Sequence, residues 1–254
     1  MKLVIFAGGL GTRLSEETHK VPKPLIRIGK MPIIWHIMKY YSYFGIKDFI
    51  ICMGYKGNAI KEFFLNYKKL NTKITINLKG ESLLSSDSLD DWTVRLLETG
   101  LHTQTGGRLK RAEEFLKNEQ FFYLTYGDGL SDVNINNLTE FFIQNNKLCT
   151  LTAIRPRNRF GVLKINENNL VEKFQEKPED SWINGGFFIM KPKVLEFIDG
   201  DDIAFEKQPM SILTKKKELC SFKHNGFWQC MDTLSDKNYL QKLWNDDLAP
   251  WKKW

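Results

Sequence analysis

The residues with the clearest chemical promise are Phe6-Ala7-Gly8-Gly9-Leu10-Gly11-Thr12-Arg13-Leu14, a glycine-rich turn that follows the apolar run Leu3-Val4-Ile5-Phe6 and carries its own arginine. A strand that ends in glycines lets backbone N–H groups crowd around phosphate oxygens, while Thr12 adds a hydroxyl and Arg13 a planar cation. This reads as a loop for a nucleoside triphosphate; a plain strand-to-helix turn accounts for the same residues equally well. Two other glycine loops fail on spacing. The Walker pattern needs Gly-Lys-Ser/Thr, which does not follow Gly11. The dinucleotide fingerprint needs a glycine where Leu14 stands and an acidic ribose partner where the chain has Pro22-Lys23-Pro24-Leu25.

Further along, Gly127-Asp128-Gly129 follows the hydrophobic run Phe121 to Tyr126, so Asp128 falls where a buried strand stops. Ligands of open parallel sheets gather at that edge, and a carboxylate there suits Mg²⁺, which takes one or two carboxylates plus phosphate oxygens and water. An Asp-Gly turn is the plainer account. Asp232, among the aromatics of Phe227-Trp228-Gln229-Cys230-Met231-Asp232-Thr233, is the candidate second carboxylate, or the N-cap of a helix starting at Thr233 or Leu234. Lys23, braced between Pro22 and Pro24, suits a phosphoryl centre or a solvated loop. In Glu176-Lys177-Pro178 the glutamate can accept from sugar hydroxyls and the lysine can pair with a phosphate. Asn184-Gly185-Gly186 permits close approach of a ligand, or a hairpin turn. Thr105-Gly106-Gly107-Arg108 either places a guanidinium near a nucleotide or begins a helix.

These residues need a scaffold, and the chain supplies an alternation of strand-like and helix-like segments that predicts a mostly parallel sheet covered by helices. Leu3 to Phe6, Asp48 to Met53 and Phe121 to Tyr126 read as buried strands, and Lys73 to Leu78 as an exposed one. Ile33 to Tyr43, Asn58 to Tyr67, Gly106 to Asn118 and Ile135 to Gln144 read as helices. Beyond residue 145 the short strand candidates Cys149 to Arg155, Gly161 to Ile165, Leu170 to Gln175 and Gly186 to Met190 predict a mixed or antiparallel extension. Gly80 to Asp91, rich in serine and aspartate, is the candidate mobile loop or subunit contact.

With 254 residues, 42% hydrophobic and 26% charged, the chain suits one large domain. No stretch approaches the roughly 20 apolar residues of a membrane span, and no signal-peptide pattern opens the chain, so a cytoplasmic protein without a membrane partner is expected. The net charge is +7, but the basic residues are scattered, which argues against nucleic acid. Cys52, Cys149, Cys220 and Cys230 lack Cys-x-x-Cys spacing and read as reduced, mostly buried thiols. His36 reads as a helix residue beside Trp35 and not as a catalytic base.

Taken in order, Gly8 to Leu14, Pro22-Lys23-Pro24, Gly127-Asp128-Gly129, Arg159-Phe160-Gly161-Val162 and Glu176-Lys177-Pro178 resemble the sugar-1-phosphate nucleotidyltransferase family. Ser15-Glu16-Glu17-Thr18, Pro32 to Met38, Gly54-Tyr55-Lys56-Gly57, Thr105 to Arg111, Ile183 to Phe188, Gly226 to Gln229 and Ala249-Pro250-Trp251-Lys252 narrow the resemblance to its cytidylyltransferase branch. Val21, Leu25-Ile26-Arg27 and Glu98-Thr99-Gly100 depart from the family pattern.

The resemblance implies an α/β, Rossmann-like, mostly parallel sheet flanked by helices, with a mixed or antiparallel C-terminal extension. It implies one domain over 1–254, with a nucleotide-binding part at 1–145 and a sugar-phosphate-binding part at 146–254. Gly8, Gly9, Gly11 and Thr12 would cradle CTP, with Gly107 and Arg108 near the nucleotide. Arg13 and Lys23 would neutralise the triphosphate and the reacting α-phosphorus. Asp128 and Asp232 would hold Mg²⁺, and Glu176, Lys177 and Asn184, with Asp232, would bind glucose 1-phosphate. The family transfers a nucleotidyl group directly to the sugar phosphate and releases pyrophosphate, and its members assemble as homo-oligomers. UTP, dTTP or another phosphorylated acceptor stays open on the residues alone.

Overall fold

Apolar runs with no polar alternation must be covered on both faces, and three of them form the centre of this molecule. The computed structural model describes residues 1–70, 73–75, 83–85, 90–156, 162–175 and 182–254. Its main elements in chain order are β1 (Lys2–Ala7), α1 (Ile33–Tyr43), β2 (Asp48–Met53), α2 (Gly57–Leu70), β3 (Thr93–Glu98), α3 (Thr105–Arg111), β4 (Phe122–Tyr126), α4 (Ile135–Asn145), β5 (Cys149–Ile154), β6 (Ile183–Met190), α5 (Gln208–Lys215), β7 (Leu219–His224) and α6 (Leu234–Asn245). Seven strands form one sheet in the order β7-β5-β6-β4-β1-β2-β3. All neighbours run parallel except β6, which is antiparallel to both β4 and β5.

Side chains alternate across each strand and so feed two helical layers. Leu3, Ile5, Phe49, Ile51 and Tyr123 pack with Ile33, Ile37 and Tyr41 of α1. Val4, Phe6, Ile50, Cys52, Phe122 and Leu124 pack on the opposite face with Leu109 and Leu116. The expected mostly parallel α/β architecture is therefore present, with strands from both halves of the chain in one sheet.

Several local expectations are corrected. The helix expected over Gly106 to Asn118 is two, Thr105–Arg111 and Glu113–Leu116, broken at Ala112. Asn184-Gly185-Gly186 is no hairpin turn: it lies inside β6, where the pairing with β5 shifts register. Of the exposed strand expected at Lys73 to Leu78, the described part is Lys73–Thr75, paired with Leu83–Ser85. Positions 80–82 and 86–89 of the candidate loop lie outside the described residues. Val162–Ile165 and Val171–Gln175 form an antiparallel ribbon. All four cysteines are free, with Cys52 and Cys149 buried and Cys220 and Cys230 half-buried. No helix among the described residues is long and apolar enough to cross a membrane.

Candidate active site

The glycine turn begins where β1 ends, and Asp128 stands just beyond the end of β4. These strands are parallel neighbours in register at Phe6 and Tyr126, so both features open on one carboxyl edge of the sheet. Gly127 donates its N–H to Phe6 O at 2.9 Å, which pins the Asp128 turn to the root of the glycine loop. The loop closes on itself through Thr18, whose hydroxyl donates to Gly11 O at 3.1 Å and to Leu14 O at 3.0 Å. Thr12–Leu14 is a 3₁₀ turn and Ser15–Thr18 a single helical turn.

Asp232 reaches the same place from far along the chain. Trp228–Cys230 pairs antiparallel with Gly129–Ser131, and Met231 N–H donates to Asp128 O at 2.8 Å, so this ribbon carries the two aspartates side by side. Asp232 is not the N-cap of α6. Thr233 takes that role in a capping box with Asp236, leaving the Asp232 carboxylate for the cleft.

Four charged groups meet there. Lys23 Nζ lies 2.7 Å from Asp128 Oδ2 and 2.5 Å from Asp232 Oδ1, and Arg13 Nη1 lies 2.6 Å from Asp232 Oδ2. Burial opposes the charge on Lys23, but the attraction and hydrogen bonds of Asp128 and Asp232 outweigh it and raise its pKa. Burial likewise pushes the Asp232 carboxyl up, and Lys23, Arg13 and the Cys230 thiol together hold it below the ordinary aspartate value. The Arg13 side chain is 77% exposed and lines both cavities beside Asp232. Burial and the neighbouring acids push the Cys230 thiol up to about 12, so it remains protonated and is no nucleophile at neutral pH.

Two cavities adjoin this cluster. One, of about 460 Å³, is lined by the Gly8 to Arg13 loop, Lys23, the Leu101 to Thr105 segment and Arg108. The other, of about 330 Å³, is lined by Asn184, Gly185, Gly186, Trp228 and Cys230. They share Arg13, Tyr126, Asp128 and Asp232. Two ligands can thus meet at one charged junction.

The expected site residues divide accordingly. Gly8, Gly9, Gly11, Thr12, Arg13, Lys23, Arg108, Asp128 and Asp232 come together at the first cavity, and Asn184 lines the second. Gly107 does not line the cleft: a β-carbon there would fall 2.6 Å from Asp201 Cα, so the glycine serves the close packing of α3. Arg108 is 4% exposed and donates to Met53 O, Thr99 Oγ1, Gly8 O and Leu101 O. It braces the glycine loop from beneath. Glu176 and Lys177, with Arg159 to Gly161, lie outside the described residues. Sequence reasoning missed Tyr126, Thr103 and Gln104; a phenol at the last position of a buried strand, next to Gly127-Asp128, was the available signal for the first.

Ser131, Asp132 and His224 gather nearby, but no hydrolytic triad results. Ser131 Oγ lies 3.4 Å and Asp132 Oδ1 3.0 Å from the same ring nitrogen, Nε2, whereas a triad needs the two on opposite nitrogens.

A mostly parallel sheet with a glycine loop, two acids and two cations at a double cavity defines an enzyme class that moves phosphate-linked groups. The chain belongs to the nucleotidyl transferase family, whose model matches residues 2–246. It is 49% identical to the glucose-1-phosphate cytidylyltransferase of Salmonella typhimurium, covering all of both chains. It is 40% identical, again over all of both, to a Bacillus subtilis protein named as a probable glucose-1-phosphate cytidylyltransferase. The crystal structure of HddC from Yersinia pseudotuberculosis superposes with a TM-score of 0.70 at 21% identity, over 96% of this chain and 99% of that one, which supports the fold.

Proposed function

We propose that this chain transfers the cytidylyl group of CTP to α-D-glucose 1-phosphate. A phosphate oxygen of the sugar phosphate attacks the α-phosphorus, the bond from that phosphorus to the bridging oxygen of pyrophosphate breaks, and CDP-glucose and pyrophosphate result. The carrying observation is the shared junction: one cavity bears the glycine loop, the other bears Asn184, and both open on Arg13, Asp128 and Asp232. CTP and glucose as the particular partners rest on the name of the Salmonella relative.

The attacking phosphate is ionised at neutral pH, so the residues need supply neither a base nor a covalent nucleophile. Their work is positioning and charge stabilisation. Backbone N–H groups of Gly8, Gly9 and Gly11 and the Thr12 hydroxyl cradle the triphosphate. Lys23 and Arg13, held by the aspartates until a polyphosphate arrives, turn to its oxygens.

The donor set fits Mg²⁺, because Asp128 and Asp232 already converge on a single cation, the Lys23 ammonium. Bound by those two carboxylates, the ion would stabilise the negative charge of the triphosphate and the departing pyrophosphate. Homo-oligomeric assembly, which rests on the family resemblance, and a cytoplasmic setting, which rests on the sequence pattern, belong to the same proposal.

Incubating the protein with glucose 1-phosphate, Mg²⁺ and each nucleoside triphosphate in turn, then weighing the products, tests the reading. The mass of CDP-glucose with CTP is expected; turnover with UTP or dTTP alone would transfer the assignment to another base. Asp128→Asn should abolish product formation, and full activity in that variant would remove the metal assignment.

A further inference from the structure

Glu206 lines neither cavity, yet it stands behind the wall between them. Its carboxylate accepts the Tyr126 hydroxyl at 2.5 Å through Oε1 and the Thr105 hydroxyl at 2.5 Å through Oε2. Thr105 belongs to the nucleotide cavity, and Tyr126 lines both. Glu206 itself is exposed, and its two carboxylate oxygens each accept one of these bonds.

Those bonds determine what Tyr126 offers on its other side. With its proton directed to Glu206, the phenol oxygen is left as an acceptor, and Asn184 Nδ2 approaches it at 3.4 Å. The Asn184 carbonyl oxygen is already taken by Gly186 N–H at 2.8 Å. The amide is therefore held at both ends in one orientation, which leaves one Nδ2 hydrogen for a ligand in the second cavity. The tyrosine ring is fixed as well. Gly186 has φ of +80°, and a β-carbon there would fall 2.6 Å from Tyr126 Cδ2, so the ring fills the space a side chain would need.

We propose that Glu206 is a positioning residue for the sugar phosphate: through Tyr126 it orients the Asn184 amide, whose remaining Nδ2 hydrogen donates to a sugar hydroxyl. The inference rests on the functional reading above, in which the second cavity takes glucose 1-phosphate. Thr105 is not expected to respond in the same way, because its hydroxyl also accepts Phe205 N–H at 2.9 Å and stays anchored without Glu206.

Calorimetric titration of the full chain with glucose 1-phosphate and, separately, with CTP tests this in Glu206→Ala, Glu206→Gln, Tyr126→Phe and the Glu206→Ala/Tyr126→Phe double variant. Loss of the orienting bonds should weaken glucose 1-phosphate binding about tenfold in either alanine or phenylalanine variant, with no further loss in the double variant. CTP affinity should stay within about twofold, and Glu206→Gln, which keeps an acceptor for the phenol, should lie within about threefold of the wild type. Unchanged glucose 1-phosphate binding in Glu206→Ala, additive losses, or equal weakening for both ligands would overturn the inference alone. Absence of binding by the wild type would overturn the functional reading and this inference with it.

Discussion

Arg108 brings a full charge beneath the nucleotide cleft and commits both terminal nitrogens to the protein, bonding Met53 O, Thr99 Oγ1, Gly8 O and Leu101 O. What it gives a nucleotide is the position of the Gly8 and Leu101 backbone. A β-carbon at Gly8 would sit 2.1 Å from Arg108 Nη1, so Gly8→Ala must push the guanidinium off its acceptors. Arg108→Met removes one donor from each of these acceptors, although Met53 O keeps Thr99 N–H and Gly8 O keeps Tyr55 N–H. At about 1 kcal/mol for each hydrogen bond lost, a loss of about 3 kcal/mol is expected. Denaturant unfolding should show that drop and CTP titration a matching loss of affinity; a Met variant as stable as the wild type would contradict the bracing role. Gly107 marks where the sequence was opaque. Thr105-Gly106-Gly107-Arg108 reads as a ligand loop, but its glycines answer to Asp201 and Ile203, partners far along the chain that no local pattern announces.

At the scale of elements, what was legible was what is buried on both faces. Asp48 to Met53 and Ile33 to Tyr43 appear with the bounds their sequence predicts, because an unbroken apolar run and a 3.6-residue apolar stripe each admit one solution. The sheet edges β3 and β7 carry charged or half-exposed residues such as Arg95 and Lys223, lack that signature and escaped notice, as did α5. Convergence of Asp128 with Asp232 depends on the short ribbon Gly129–Ser131 with Trp228–Cys230, a pairing set by tertiary context alone. The start of α6 adds to it. Asp236 is 4% exposed, accepts from Asp232 N, Thr233 N and Thr233 Oγ1, and also receives Gln229 Nε2. One carboxylate thereby caps the helix and holds the backbone of Asp232. Asp236→Ala should destabilise the protein by about 2 kcal/mol and lower kcat about tenfold through the displaced Asp232. Thermal melting and steady-state rates measured well below the melting temperature check both; full kcat there would separate the cap from the site.

At the scale of the whole molecule, the C-terminal segment closes the same core that the first strand opens, since Trp251, Ala249 and Leu240 pack in one cluster with Leu3, Ile5 and Met231. His36 is the polar group inside that closure. Its Nε2 donates to Ile28 O at 2.9 Å, and its Nδ1 accepts from Trp251 Nε1 at 3.4 Å, a pair of contacts that only the neutral ring can make. Burial pushes its pKa down from 6.5 to about 4, against the weaker opposing effect of backbone carbonyl contacts. Between those values the unfolded chain binds a proton that the folded chain refuses, so stability rises with pH across that window. The contribution is fully present above about pH 6.5 and is lost as pH falls toward 4, amounting to about 3 kcal/mol for a shift of this size. Asp232, whose pKa lies below the ordinary aspartate value, loses its contribution only at lower pH and does not confuse the comparison. His36→Gln, able to donate to Ile28 and accept from Trp251 without titrating, should show a shallower fall in unfolding free energy between pH 7 and pH 5 than the wild type. Parallel slopes for the two proteins would mean that acid sensitivity originates elsewhere than in the clasp between α1 and the C-terminal tryptophans.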